Sequence, residues 1–249
     1  MATFDKNSDV FAQLRGGLVV SCQCPYGSPT NDPAVIAAMA IASLDNGAVG
    51  VRIESPERVA AVRSLTDQPI IGLWKKTFPD SEVYITPQFA HAQAIAEAGA
   101  DLIAIDATQR DRPGGEVLAD IIRRIHEDLG KPVMADIDTV ASAEGAIAAG
   151  ADCVGTTLFG YTGETKGHKP PGWDVLKLCA QSLSVPVLCE GGIHSAAMAR
   201  QALDLGAWAT VVGTAITGID LQVQAYCQAM ATRSPKPTGA EHLRRSPND

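Results

Sequence analysis

Aromatic residues make up only 5% of the chain, and no run approaches the ~18–20 consecutive apolar residues that a membrane-spanning helix needs. The core must therefore be aliphatic, and a helical membrane protein is excluded. Met1 to Asp9 has no apolar stretch of the kind a secretory leader carries, so a cytoplasmic protein is expected. Basic residues are outnumbered: 20 Lys and Arg face 28 Asp and Glu, a formal net charge of −8. They do not gather into a stripe, which excludes a nucleic-acid face of the usual kind and a basic membrane-binding patch. With the overall field opposing it, an anionic small substrate must be held by local features such as helix N-termini.

Cysteine is present without a framework. The six residues show no disulfide or zinc spacing and read as buried free thiols in a cytosolic protein. The five histidines, His91, His126, His168, His194 and His242, fall in stretches that read as helices, loops or the C-terminal tail. None joins a carboxylate cluster at a strand end, so no metal site is expected. The turn Cys22-Gln23-Cys24-Pro25-Tyr26-Gly27 lacks the GxGxxG pattern of a dinucleotide site.

What is there is a repeating alternation. Short apolar runs occur at Gly17–Cys22, Ala48–Ile53, Pro69–Trp74, Asp101–Asp106, Pro132–Asp136, Asp152–Thr156, Pro186–Glu190 and Ala209–Gly213. Most lack polar alternation, as parallel strands covered on both faces do. Ala-rich stretches with helical spacing lie between them, Val35, Met39, Ala42 and Leu44 being one example. Asp32-Pro33, Ser55-Pro56 and Thr86-Pro87 each put a capping side chain before a proline at a helix start. Gly47, Gly99, Gly150 and Gly206 each stand after a helix and lead into an alanine. A helix, Gly-Ala, strand unit repeated in this way, in a chain of 249 residues, predicts a single-domain α/β protein, a (β/α)8 TIM barrel over 1–231. Ser8–Arg15 is expected to plug its bottom, and the polar tail 232–249 to be disordered.

Barrel active sites form where the strands end. Those positions carry Gln23, Arg52, Lys75 with Lys76, Asp106, Asp136, Thr156 with Thr157, Glu190, and Gly213 with Thr214. A purely structural rim does not need so many ionisable groups. A free lysine, with a pKa of about 10.4, is a poor base at neutral pH; partial burial in a barrel mouth lowers it into a useful range. The plainer reading is a solvated lysine pair, and strand alternation allows only one of Lys75 and Lys76 to face the cavity. Glu190 either trades protons opposite that lysine or holds the next helix N-terminus. Arg52 and Asp136 either bind substrate oxygens or pair with each other, and Asp106 forms either a contact or a cap with Thr108. The loops after the last two strands, with Gly191, Gly192, Gly213 and Thr214, read as a phosphate cradle or as plain tight turns.

These motifs resemble the bacterial N-acetylmannosamine-6-phosphate 2-epimerase family. The resemblance rests on Ser21-Cys22-Gln23, Val51-Arg52-Ile53-Glu54, Gly72-Leu73-Trp74-Lys75, Asp80-Ser81-Glu82-Val83-Tyr84-Ile85-Thr86-Pro87, Asp106-Ala107-Thr108-Gln109-Arg110-Asp111-Arg112-Pro113, Met134-Ala135-Asp136, Glu190-Gly191 and Gly213-Thr214-Ala215-Ile216-Thr217. It implies cofactor-free inversion at C2 of a 2-acetamido sugar phosphate by a homodimer. Lys75 is then the acid/base, Glu190 its partner, and Gln23, Arg52, Asp136 and Arg110 substrate contacts. Two positions depart from the pattern: Gly192 and Gly218 stand where many relatives have basic residues. Backbone amides must then hold the phosphate, or the substrate is the free sugar. A Schiff-base lyase using Lys75, and a catalytically silent sugar-phosphate binder, remain the other readings of the rim.

Overall fold

Each Gly-Ala junction ends a helix in the same way. In the computed structural model, which describes residues 9–231, Gly47, Gly99, Gly150 and Gly206 have φ of 97°, 103°, 105° and 101°. The alanine that follows donates its N–H five residues back: Ala48 to Ser43, Ala100 to Ile95, Ala151 to Ala146 and Ala207 to Ala202. This paired closure uses up helix-end carbonyls, and only glycine reaches that φ without strain. The alanine is small enough to turn inward at once, and the next strand begins within three residues.

The repeat builds the predicted architecture. Strands β1 (Leu18–Cys22), β2 (Gly50–Glu54), β3 (Ile70–Leu73), β4 (Leu102–Asp106), β5 (Val133–Asp136), β6 (Cys153–Gly155), β7 (Val187–Glu190) and β8 (Ala209–Val212) pair in parallel, each with the next. β8 closes onto β1 through Leu18–Thr210, Val19–Val211 and Val20–Val212. Helices α2 (Pro33–Asp45), α3 (Pro56–Arg63), α4 (Phe89–Glu97), α5 (Leu118–Leu129), α6 (Val140–Ala148), α7 (Trp173–Ser182) and α8 (Ala196–Asp204) follow the first seven strands. A short α9 (Thr214–Thr217) and then α10 (Ile219–Ala231) follow β8. Among the described residues no helix is long and apolar enough to cross a membrane.

The pleat sorts the strand residues into two cores. Val20, Val51, Ile53, Ile103, Ile105, Val133 and Val154 face outward and pack against the helices. Val19, Ile71, Leu73, Leu102, Met134, Leu188 and Val211 face inward and form a separate cluster. The first helix, α1 (Asp9–Leu14), closes that cluster from below, as expected of Ser8–Arg15. Phe11 and Leu14 are fully buried, the Phe11 carbonyl accepts from Trp208 Nε1 at 2.8 Å, and Gly50 leaves the space that Leu14 fills. Burying each of these side chains contributes about 2–3 kcal/mol.

Two expected caps are corrected. Asp32 does cap α2, accepting from the Ala34 and Val35 amides. Ser55 sits at φ 77° and makes no cap bond; its hydroxyl instead accepts from Arg58. Thr86 lies three residues before α4 and is fully buried, accepting from the Trp74 amide and donating to the Ala104 carbonyl. Its hydroxyl ties the loop after β3 to β4, so the threonine-proline pair marks a strand-loop stitch rather than a helix start. The tail 232–249 lies outside the described residues.

Candidate active site

At the mouth the same inward parity delivers ionisable groups. Stepping two residues on from Gly50, Leu73, Met134 and Leu188 gives Arg52, Lys75, Asp136 and Glu190. Arg52, only 1% exposed, is the hinge of the cluster. Its Nη1 donates to Asp136 Oδ1 at 3.0 Å and to Glu190 Oε2 at 2.6 Å, and its Nη2 donates to Asp136 Oδ2 at 2.6 Å. Thr157 completes the link, donating to Asp136 Oδ1 at 2.6 Å with Glu190 Oε2 3.2 Å away. Gly155 is glycine because a Cβ there would meet Met134 Cε at 2.2 Å and Asp136 Oδ1 at 3.4 Å. The pairing open to Arg52 and Asp136 is therefore made, and Glu190 joins it rather than holding a helix.

This arrangement moves proton affinities. Burial would lower the Arg52 pKa, but Asp136 and Glu190 more than offset it, and the guanidinium is held charged. Glu190 is raised from 4.5 to about 7: burial lifts it most, the Arg52 charge opposes that, and the neighbouring Asp136 carboxylate lifts it further. Lys75 is lowered from 10.5, first by the loss of surrounding water and then by the Arg52 charge. Its side chain still reaches solvent through the mouth, so the crowding comes from the cavity walls and not from enclosure. Among the described residues no hydrogen bond or ion pair joins Lys75 to Glu190 directly. They stand on β3 and β7, four strands apart in a ring of eight and thus on opposite walls. A base and an acid whose affinities converge toward neutrality suit proton transfer.

The cavity has a volume of about 670 Å³, enough for a phosphorylated hexose derivative. Gln23, Arg52, Lys75 and Glu190 all line it, as do Gly191, Gly192, Gly213 and Thr214. Gln23 is steadied by its amide donating to Ser21 Oγ at 2.8 Å. Of the lysine pair only Lys75 lines the cavity; the Lys76 ammonium lies 4.1 Å from the centre of the Trp74 ring. Of Thr156 and Thr157 only Thr157 faces inward, while Thr156 hydrogen-bonds the Glu190 backbone. Asp136 is fully buried beneath Arg52 and is not part of the wall. Arg110 also stays outside the lining, held in its own loop by Asp106 at 2.7 Å and Thr108 at 2.9 Å. Asp106 bonds Thr108, whose amide lies 3.1 Å from Asp106 Oδ1, but no helix starts there, so the pair closes a turn of the loop rather than capping a helix.

Tyr84 and Lys169 also line the cavity and were not singled out from the strand ends, because both come from loops that fold back over the mouth. Burial, then Asp136 and Asp106, push the Tyr84 hydroxyl up to about 12, so it remains a hydrogen-bond donor throughout the neutral range. His194, exposed at the rim, lines the cavity too and donates from Nδ1 to the Gly192 carbonyl at 2.9 Å.

Comparison with known proteins gives a consistent result. Residues 36–232 match a family model described as "Putative N-acetylmannosamine-6-phosphate epimerase". A Synechococcus elongatus protein named "Putative N-acetylmannosamine-6-phosphate 2-epimerase" is 60% identical over 223 residues, covering 89% of this chain and 96% of its own. A Cutibacterium acnes protein of the same name is 44% identical over 210 residues, covering 84% of this chain and 91% of its own. A solved structure described as the N-acetylmannosamine-6-phosphate 2-epimerase from Clostridium perfringens superposes with a TM-score of 0.86 at 33% identity, covering 92% of this chain and all of that one. Thiamine phosphate pyrophosphorylase from Pyrococcus furiosus, at 17% identity and a TM-score of 0.57, shares the fold alone. The chain belongs to the N-acetylmannosamine-6-phosphate epimerase family.

Proposed function

We propose that the protein is a cofactor-free isomerase that inverts C2 of N-acetylmannosamine 6-phosphate, giving N-acetylglucosamine 6-phosphate. The observation that carries this reading is the pair of opposed proton-transfer groups, Lys75 and Glu190, with an Arg52 cation at the floor between the strands that bear them. Glu190 in its protonated form gives its proton to the ring oxygen and takes the O1 proton as the ring bond breaks, opening the sugar to its aldehyde and leaving the carboxyl protonated for the later step at C2. The C2 proton is then α to a carbonyl, and the Lys75 amine removes it. The C2 electron pair moves into the carbonyl, and the resulting enolate oxygen is stabilised by Arg52 with Gln23 as a further donor. Inversion requires the proton to return on the other face, and the opposite wall is where Glu190 stands. Asp136 and Thr157 act through the other residues, fixing the Arg52 fork and the Glu190 carboxyl. The backbone amides of Gly191, Gly192, Gly213 and Thr214 face the phosphate. Arg110 contributes by ordering the loop beside the mouth.

Turnover of N-acetylmannosamine 6-phosphate, followed by NMR with a chelator present, tests the reading: the C2 epimer should accumulate to an equilibrium mixture. No conversion would contradict it. Borohydride added with substrate separates this chemistry from a lysine Schiff-base lyase, since only the lyase would leave an irreversible adduct on Lys75.

The partner in this proposal is a second copy of the chain in the cytoplasm. α10 supports the pairing, because it has no buried residue and exposes Ile219, Val223, Tyr226 and Met230. Sedimentation at micromolar concentration should give a dimer; a monomer would contradict it.

A further inference from the structure

Four basic side chains line the cavity, and three are already engaged or assigned. Arg52 is occupied by Asp136 and Glu190, Lys75 has its place at C2, and His194 is bonded to the Gly192 carbonyl. The fourth, Lys169, has no hydrogen bond or ion pair through its ammonium among the described residues. Its neighbour packs directly on the loop after β7: a Cβ on Gly192 would lie 2.6 Å from Pro170 Cβ and 2.5 Å from the Pro170 carbonyl carbon. Gly192, at φ 70°, thus has no room for a side chain of its own, the space being filled by Pro170 of the loop after β6, and Lys169 next to that proline lines the same cavity. That loop is anchored. Thr162 donates to the buried Asp138 at 2.6 Å, and the Gly160 amide donates to Thr165 Oγ1 at 2.8 Å.

We propose that Lys169 is a specificity-determining residue, a cation delivered by the β6 loop to pair with the substrate phosphate and to set the preference for the phosphorylated over the free sugar. The inference rests on the epimerase reading for the identity of the substrate, and on the cavity geometry for the place of the anion. Turns such as Gly191-Gly192 and Gly213-Thr214 offer backbone N–H groups, which orient a phosphate but bring no net charge. In a chain of net charge −8 a dianion entering this mouth needs a free cation, and Lys169 is the one left to meet it.

The test compares kcat/KM on N-acetylmannosamine 6-phosphate and on N-acetylmannosamine for the full chain, Lys169→Met and Lys169→Arg. In parallel, the binding of inorganic phosphate is measured by calorimetry. Losing one charge-assisted contact should lower the phosphorylated-to-free kcat/KM ratio by about 10- to 100-fold in Lys169→Met, mainly through KM, while Lys169→Arg retains most of it. An unchanged ratio would overturn the proposal, and so would an equal loss on both sugars, which would mark Lys169 as merely structural. If the unaltered protein converted neither sugar, the epimerase reading would fall. The phosphate arm would then decide Lys169 alone: weaker binding in Lys169→Met upholds it, and equal binding removes it.

Discussion

The two ends of the barrel are made by the same strands with the same parity, yet they hold opposite chemistry. At the bottom, Val19, Ile71, Leu102 and Ala209 meet Phe11 and Leu14 in a sealed apolar cluster. At the mouth, one pleat repeat beyond Gly50, Leu73, Met134 and Leu188, stand Arg52, Lys75, Asp136 and Glu190. The bottom gains stability by removing surface from water and needs no partners of defined geometry. The mouth places charges at low dielectric, where each must be matched or change its protonation state. Arg52 and Asp136 are matched, whereas Glu190 and Lys75 shift toward neutrality. Neutralisation at the mouth is incomplete, one arginine being shared by two carboxylates.

Substitutions should separate the two ends. The largest effect is expected from Lys75→Met, which removes the base proposed for C2. It should lower kcat by about 10²- to 10⁴-fold, with melting temperature maintained or raised because a crowded ammonium is lost. A variant as active as the parent would assign the C2 proton to another group. At the bottom, Leu14→Ala should cost about 2–5 kcal/mol of stability in denaturant titrations and leave kcat within about twofold. A large kcat loss there, in protein still folded, would show the two ends to be coupled.

Glu190→Gln sharpens the electrostatic side. The folded protein holds the Glu190 proton up to about pH 7, whereas an ordinary glutamate carboxyl gives its proton up near 4.5. The folded state therefore binds more protons than the unfolded state between those values. This stabilising contribution is full below about 4.5 and is lost as pH rises toward 7. The variant should lose that downward slope in stability against pH; an unchanged slope would mean that burial does not raise the carboxyl. The smallest effect is expected from Thr157→Val. Thr157 lowers the Glu190 pKa by hydrogen bonding, so its loss should move the corresponding limb of the pH–rate profile upward. The rate should change by less than about tenfold, with Thr157→Ser restoring the profile.

Much of this was legible in the residues because it is periodic. The Gly-Ala junctions and the apolar runs placed eight strands to within a few residues, and pleat parity separated Lys75 from Lys76. What resisted reading was aperiodic. Ser55 and Thr86 precede prolines as helix caps do, and only the packing of the loop after β3 onto β4 shows Thr86 to be a stitch. The end of β5 left Asp136 open to substrate oxygens or to Arg52; its burial under Arg52 depends on a fork shared with Glu190 from β7, a contact across the barrel. Tyr84 and Lys169 reach the cavity through loops whose return path no local pattern encodes.

The central claim is proton exchange at C2 between opposed groups, and turnover of N-acetylmannosamine 6-phosphate in deuterium oxide tests it most directly. The account predicts N-acetylglucosamine 6-phosphate carrying deuterium at C2 from the earliest time points, because the proton returned by the opposite wall comes from a group in exchange with solvent. Product that keeps its original C2 proton throughout would contradict it.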